Sequence, residues 1–177
     1  MLFPTIKNEC SEFIQKSNGM PLFKSLHSGK DAFIKVKARH RKVHDESFET
    51  AFNSAFQKQT NKMLSKAIFC NTNEIILPNH ENYYVFPIDG YRILYSKNDK
   101  NTSKTYQAAL SEILDMVAEQ HAVSLLTTIL SDDYTDENLS EALTNKKEIL
   151  VYNIPYFYAI KCSLFQSLDD YKSIIYK

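Results

Sequence analysis

Glycine is scarce in this chain, and its scarcity excludes one large group of ligand sites. Only three glycines, Gly19, Gly29 and Gly90, occur among the 177 residues. The Walker motif and the dinucleotide-binding fingerprint each place several glycines close together, so that the backbone can approach a phosphate group. This chain has no such cluster. A phosphate-bearing ligand would therefore have to be held by side chains.

Cysteine is also rare, and its pattern excludes two further kinds of site. Cys10, Cys70 and Cys162 are odd in number and far apart. They have neither the spacing of zinc ligands nor the number that a disulfide framework needs. His40 and His44 could share one face of a strand, but no third ligand of clear type lies nearby. We expect reduced thiols and no metal site.

Long apolar runs are absent as well. No stretch approaches the roughly 18 apolar residues that a membrane helix needs, and the N-terminus has no apolar signal region. We therefore expect a cytoplasmic protein without a membrane partner. With 44% hydrophobic and 24% charged residues, the composition is that of an ordinary globular protein, which we interpret as a single domain over residues 1–177.

The charges cancel overall but are unevenly distributed. Residues 1–70 contain 12 Lys and Arg against 6 Asp and Glu, whereas residues 71–177 contain 9 against 15. The two parts therefore carry charges of +6 and −6. If both parts belong to one domain, its surface is polarised, and the basic face suits an anionic ligand.

Apolar periodicity predicts strands and helices that do not alternate regularly. Strands are predicted at 21–26, 32–38, 67–70, 83–87 and 91–95, and a further pair flanks Asn153 and Pro155. Helices are predicted at 7–17, 104–130, 136–143 and 169–176, the longest being either one helix or two that separate near Gln120. This mixture favours the α+β class with antiparallel sheets.

Two local patterns are more specific. Phe48, Phe52 and Phe56 recur every fourth residue, which predicts a helix with an aromatic stripe in the core. Asp45 is the predicted N-cap of that helix. Gly90 lies at a turn position between the fourth and fifth predicted strands, which predicts a β-hairpin.

Polar residues lie at the ends of several predicted strands: Lys24, Arg39, Arg41, Asn71, Thr72 and Glu148. Cationic side chains and a single carboxylate suit a ligand that is anionic at one end and reacts through a cationic centre at the other. NAD has both properties. Its pyrophosphate attracts Lys and Arg, and cleavage of its nicotinamide–ribose bond develops positive charge that a fixed carboxylate stabilises. The alternative for Glu148 is a solvated acid at a strand edge.

Three short motifs follow one another along the chain. They are Leu22-Phe23-Lys24-Ser25, Phe69-Cys70-Asn71-Thr72 and Lys146-Lys147-Glu148-Ile149-Leu150-Val151. Their order resembles that of Leu-Tyr-Arg-Gly, Ser-Thr-Ser and Glu-x-Glu in the ADP-ribosyltransferase fold, particularly in a group of small bacteriophage proteins that share it. The resemblance implies two packed, mostly antiparallel sheets with flanking helices.

The same resemblance implies a function and a site. NAD would be a substrate, and ADP-ribose would pass to a host protein or nucleic acid in a bacterial cytoplasm. The implied site residues are Glu148 for catalysis and, for binding NAD, Lys24, Arg39, Arg41, Asn71, Thr72, Tyr84 and Phe86. Lys146 stands where arginine-modifying members have the first acid of Glu-x-Glu, so arginine is disfavoured as the acceptor.

The implied roles divide by the part of NAD that each residue would meet. Lys24, with Arg39 or Arg41, would bind the pyrophosphate, and Asn71 or Thr72 would position the nicotinamide ribose. The ring of Tyr84 or of Phe86 would stack on nicotinamide.

Two other functions fit the same residues. The chain could be a catalytically inactive binding protein of this fold that inhibits a host defence or transcription factor, because a fold can be kept as a scaffold after its chemistry is lost. The basic run from Lys35 to Lys42 could bind nucleic acid, although a net charge of zero argues against a dedicated binder.

Overall fold

Seven α-helices and eight strands occur in residues 3–39, 46–98 and 102–176, which are the residues that the computed structural model describes. The helices are α1 (Phe3–Glu9), α2 (Ser11–Ser17), α3 (Glu46–Thr60), α4 (Thr102–Leu114), α5 (Glu119–Asp133), α6 (Leu139–Thr144) and α7 (Leu168–Ile175). The strands are β1 (Phe23–His27), β2 (Phe33–Lys37), β3 (Ile68–Cys70), β4 (His80–Pro87), β5 (Arg92–Ser96), β6 (Tyr134–Thr135), β7 (Ile149–Tyr152) and β8 (Tyr156–Lys161). None of these helices is long and apolar enough to span a bilayer.

The strands form two antiparallel sheets of four strands each. The first sheet has the order β1-β4-β8-β2, and the second has the order β3-β7-β5-β6. Every strand pair in both sheets is antiparallel. The structure thus confirms the predicted α+β class with antiparallel sheets.

The second sheet is buried on both faces. Along β7, Ile149 and Val151 belong to a core that also contains residues of the first sheet. Leu150 and Tyr152 alternate with them and belong to a second core, built with α3 and α5. Because both faces are covered, β7 is a continuous apolar and aromatic run without the polar alternation of a half-exposed strand.

The phenylalanine stripe of α3 is confirmed. Phe48, Phe52 and Phe56 are only 1%, 3% and 1% exposed, and they pack in the second core. Burying each such side chain contributes about 1.5–3 kcal/mol, so this helix is held mainly by its aromatic face. The predicted N-cap, Asp45, lies outside the described residues.

The predicted hairpin around Gly90 is wrong. β4 pairs with β1 and β8 in the first sheet, whereas β5 pairs with β7 and β6 in the second. The turn is fixed by a helix instead: the Asp89 carboxylate accepts hydrogen bonds from the Ser11 hydroxyl (2.6 Å) and the Glu12 amide (2.8 Å) at the start of α2. Negative charge is favourable at a helix N-terminus. Gly90, at φ +84, lets the chain cross from one sheet to the other.

Two helical predictions need smaller corrections. The run predicted at 7–17 forms two short helices, α1 and α2, which Cys10 separates. The run predicted at 104–130 forms α4 and α5, and the break at residues 115–118 lies just before the predicted point at Gln120.

Candidate active site at the junction of the two sheets

The two sheets meet at one backbone bridge between β1 and the end of β3. Phe23 and Asn71 exchange two backbone hydrogen bonds, with N···O distances of 2.7 and 2.8 Å. The bridge places Lys24, the next residue of β1, beside the β3 motif. Asn71 and the following Thr72 are both half-buried.

Lys24 is fixed at this junction by a backbone contact. Its side chain is half-buried, and its ammonium donates a hydrogen bond to the Phe69 carbonyl oxygen at 2.7 Å. This bond spans from β1 to β3, so the charge of Lys24 is held where the two sheets meet.

Glu148 reaches the same junction from β7. It immediately precedes Ile149, which pairs with Cys70 in the ladder between β3 and β7. Burial raises the pKa of the Cys70 thiol to about 12, the charge of Lys24 lowers it, and the charge of Glu148 raises it. Both charges therefore lie within electrostatic reach of one buried sulfur. Lys24, Asn71 and Glu148, which are far apart along the chain, converge in space.

A cavity opens beside Lys24. Its volume is about 520 Å³, which lies within the range of small-molecule sites. Four cationic side chains line it, namely Lys24, Lys30, Lys37 and Arg39. Its apolar lining consists of Leu26, Val36, Ile68, Phe69 and Phe157. No carboxylate is among the described residues that line this cavity, and Glu148 lies at the junction rather than in the wall.

Two histidines that the sequence did not single out also line the cavity. His27 and His80 are paired across β1 and β4, and their ring centroids are 4.2 Å apart. The Nδ1 atom of His80 lies 2.8 Å from the Pro78 carbonyl oxygen. Each histidine looks isolated in the sequence, since their proximity depends on the register between two strands that are distant along the chain.

Tyr84 and Phe86 do not contribute to this site. Both are buried, and both rings contact Tyr171 of α7, with centroid distances of 4.2 Å for Tyr84 and 6.1 Å for Phe86. In the strand register they alternate with Tyr83, the partner of Lys24, and so lie on the opposite face of the first sheet. The predicted stacking role is therefore corrected: these rings form part of the core.

The two arginines that were predicted to bind the pyrophosphate, Arg39 and Arg41, have different outcomes. Arg39 follows β2, is exposed and lines the cavity. Arg41 lies outside the described residues, as do His40 and His44.

The two residues before Glu148 are lysines, so they differ in charge from the Glu-x-Glu pattern. Lys146 is exposed and has a left-handed backbone with φ +54. Lys147 is buried, and its ammonium donates to the Lys97 carbonyl oxygen at 2.8 Å. No group of three or more potential metal ligands occurs in the part of the chain that the structure describes.

The fold and this junction define an α+β protein whose candidate site lies between two antiparallel sheets. Comparisons of the chain with protein-family models, with curated proteins and with solved structures find no match.

Proposed function

We propose that the protein binds NAD at the junction of the two sheets and transfers its ADP-ribose group to a macromolecule. The observation that carries this proposal is the convergence of Lys24, Asn71 and Glu148. These residues come from three separate segments, and the proposal requires all three in one place.

The cationic cavity supports the binding step. In the proposed complex the pyrophosphate lies against Lys24 and Arg39, both of which line the cavity. Asn71 and Thr72, at the end of β3, contact the nicotinamide ribose through their polar side chains. The apolar lining, which includes Leu26 and Phe157, suits the less polar parts of a dinucleotide.

Glu148 supplies the chemical step in this proposal. The bond between ribose C1′ and the nicotinamide nitrogen breaks, and the electron pair leaves with neutral nicotinamide. Positive charge then develops on the ribose, and the Glu148 carboxylate stabilises it. A nucleophilic atom of the acceptor forms the new bond to C1′ and releases its proton. The products are ADP-ribosylated acceptor, nicotinamide and a proton.

The residues before Glu148 limit which chemical groups could act as the acceptor. Lys146 places a cation two residues before the catalytic acid, and a cation repels the guanidinium of an arginine acceptor. We therefore propose another protein group or a nucleic acid of a bacterial host as the acceptor.

Glu148→Gln tests this function. NAD that is labelled in its adenosine part is incubated with the protein and a bacterial lysate, and both transferred label and released nicotinamide are measured. We expect Glu148→Gln to lower both rates by about 10²–10³-fold, as removal of a stabilising group from a transition state commonly does. Glu112→Gln is the matched control, because Glu112 is an exposed acid on α4. Absence of both products, or equal rates for wild type and Glu148→Gln, would refute the enzymatic function.

A second function has one observation in its favour. Ile75, Ile76 and Leu77 are consecutive, lie between β3 and β4, and are exposed, Ile76 by 97%. Contiguous exposed apolar residues are typical of protein-binding surfaces. They favour the inactive binding protein, whose target would be a host defence or transcription factor. That function predicts that Ile76→Asp abolishes target inhibition, whereas Glu148→Gln leaves it unchanged.

A further inference from the structure

The outer edge of β2 is uncovered in the part of the chain that the structure describes. β2 is an edge strand of the first sheet, and it pairs only with β8 among the described strands. The other edge strands are short or covered. β6 has two residues and β3 has three, whereas β1 is bridged to Asn71, and its Ser25 hydroxyl donates to the Ile75 carbonyl oxygen. A free edge presents backbone donors and acceptors to which a further strand can bind.

The register shows which backbone groups of β2 face outward. The Lys161 amide donates to the Ala32 carbonyl oxygen at 2.8 Å, and the Ala38 amide donates to the Pro155 carbonyl oxygen at 3.0 Å. Residues 32 and 38 therefore direct their backbone groups toward β8, and in an antiparallel ladder every second residue between them does the same. The residues at the alternate positions direct theirs away from β8, and these are Phe33, Lys35 and Lys37. Since each has one N–H and one C=O, six backbone groups face outward.

The two faces of β2 differ in chemistry. Successive side chains of a strand point to opposite faces, so Ile34 and Val36 lie on one face, and Lys35 and Lys37 lie on the other. The first two are half-buried, whereas the lysines are exposed. A groove of about 350 Å³ lies beside the strand and is lined by residues 29–31 and 34–37. A strand added here would meet apolar side chains on one face and basic side chains on the other.

We propose that β2 binds an extended segment of another protein in which acidic and apolar residues alternate. The segment adds a fifth strand to the first sheet, antiparallel to β2, as in other complexes that form by strand addition. Its acids lie opposite Lys35 and Lys37, because opposite residues share a face. Its apolar residues lie opposite Ile34 and Val36. The proposal goes beyond the proposed function, since neither NAD nor Glu148 takes part in it.

Charge favours this partner over a second copy of the chain. Pairing of two copies through the outward groups would place the lysines of one β2 on the same face as those of the other, and like charges opposite one another are destabilising. An acidic strand would instead meet charges of opposite sign. Three lysines, Lys30, Lys35 and Lys37, line the groove, against one acid, Asp31. None of these lysines forms an ion pair with a described residue.

Protection of the edge does not account for Lys35. A protecting lysine keeps its charge at the edge, where it opposes an incoming strand. The Lys35 ammonium instead lies 3.5 Å from the centroid of the Tyr156 ring on β8, back over the sheet. The Tyr156 hydroxyl in turn donates to the Glu9 carboxylate at 3.0 Å. The outward backbone groups of Lys35 are therefore left accessible.

Fluorescence anisotropy of labelled peptides, titrated with the full chain at one fixed ionic strength, tests this proposal. The probe is a capped peptide of four Glu-Val repeats, and its comparison peptide has lysine in place of each glutamate. We expect the acidic peptide to bind at least about tenfold more tightly than the basic one, because like charges across an interface are unfavourable. Two methylated forms of the acidic peptide then test the hydrogen bonds. In the antiparallel arrangement, N-methylation of the central glutamates removes donors that face β2, and this form should bind at least about fivefold more weakly than one methylated at the central valines.

Lys35→Pro and Lys35→Thr are the matched pair on the protein. Both lose the ammonium, but only proline also removes an outward N–H, and an edge strand tolerates proline where the N–H faces solvent. Lys35→Pro should bind the acidic peptide at least about fivefold more weakly than Lys35→Thr. Urea unfolding without peptide shows whether both variants are folded. The methylated peptides decide the question on the wild-type chain if Lys35→Pro is not.

Weaker binding of the glutamate-methylated peptide, and weaker binding by folded Lys35→Pro, support the proposal. It fails if the acidic peptide does not bind at millimolar concentration, if the basic peptide binds as tightly, or if the two methylated peptides bind equally. Equal binding of those two is the result expected of a surface that attracts anions, nucleic acid included, by charge alone. Equal binding by folded Lys35→Pro and Lys35→Thr also contradicts it. Sedimentation that shows a dimer of the wild type, lost in Lys35→Pro, would assign the edge to a second copy and overturn the proposal.

Discussion

At the scale of single residues, asparagine occupies many of the left-handed backbone positions that glycine commonly occupies in proteins. All three glycines have positive φ. Six other described residues also have a left-handed backbone, namely Asn18, Asn61, Asn79, Asn138, Lys146 and Asn153. Asparagine tolerates this conformation because its short polar side chain can bond to nearby backbone. Lys146 has no such help, and it lies two residues before the proposed catalytic acid.

Lys146→Gly should stabilise the protein. The left-handed conformation costs a residue with a Cβ atom about 1–2 kcal/mol, and glycine loses about 0.5–1 kcal/mol in extra chain entropy. We therefore expect the free energy of unfolding to rise by about 0.5–1 kcal/mol, as measured by urea denaturation. Thr144→Gly, at the last residue of α6, should instead lower it by about 0.5 kcal/mol, because glycine is a poorer helix former than threonine and the hydrogen bond from the Thr144 hydroxyl to the Ser140 carbonyl oxygen is lost. A loss of stability in Lys146→Gly would show that the left-handed backbone at this position is not strained.

Residue chemistry alone predicted only part of the site. Lys24, Asn71 and Glu148 were predicted from residue type and order, and the structure brings them together. Their chemical roles remain predictions. The His27–His80 pair could not be predicted, because it depends on the register of β1 against β4.

At the scale of secondary structure, the predictions that the structure confirms came from apolar patterns that burial alone explains. The stripe of α3 and the apolar run of β7 each follow from burial of a whole face or of both faces. The prediction of a hairpin at Gly90 was wrong because the same turn sequence can connect two strands that pair with each other or two strands that belong to different sheets. The deciding contact, from Ser11 to Asp89, joins residues 78 positions apart in the chain.

Phe52→Ala measures how much the aromatic face of α3 contributes. The Phe52 ring lies 5.4 Å from that of Phe69 and 5.7 Å from that of Tyr134, centroid to centroid. Its removal should lower the free energy of unfolding by about 3–5 kcal/mol, through lost burial and the resulting cavity. Met63→Ala is the comparison, since Met63 is 58% exposed; it should change stability by less than about 0.5 kcal/mol. Similar losses in both variants would mean that α3 is not held by its buried face.

At the scale of the whole molecule, the fold shows where part of the unevenly distributed charge of the sequence lies. All four cations of the cavity belong to residues 1–70, the part with the net positive charge. Glu148 comes from the part with the net negative charge. The composition predicted a basic face, and the fold places four of its cations around one cavity, whereas Glu148 directly precedes the strand that pairs with β3. The bridge between β1 and β3 connects the two sheets and so brings these cations near Glu148. Neither the composition nor the apolar periodicity of the sequence predicts this bridge.

The central claim is that NAD binds at this junction, and urea unfolding with and without NAD tests it most directly. At 100 times its Kd, NAD should raise the free energy of unfolding by about 2.7 kcal/mol. Lys24→Gln, compared with its own ligand-free unfolding curve, should require at least about tenfold more NAD for the same increase, whereas Lys58→Gln should behave like wild type. No stabilisation by NAD up to millimolar concentration, or equal stabilisation of wild type and Lys24→Gln, would contradict the account.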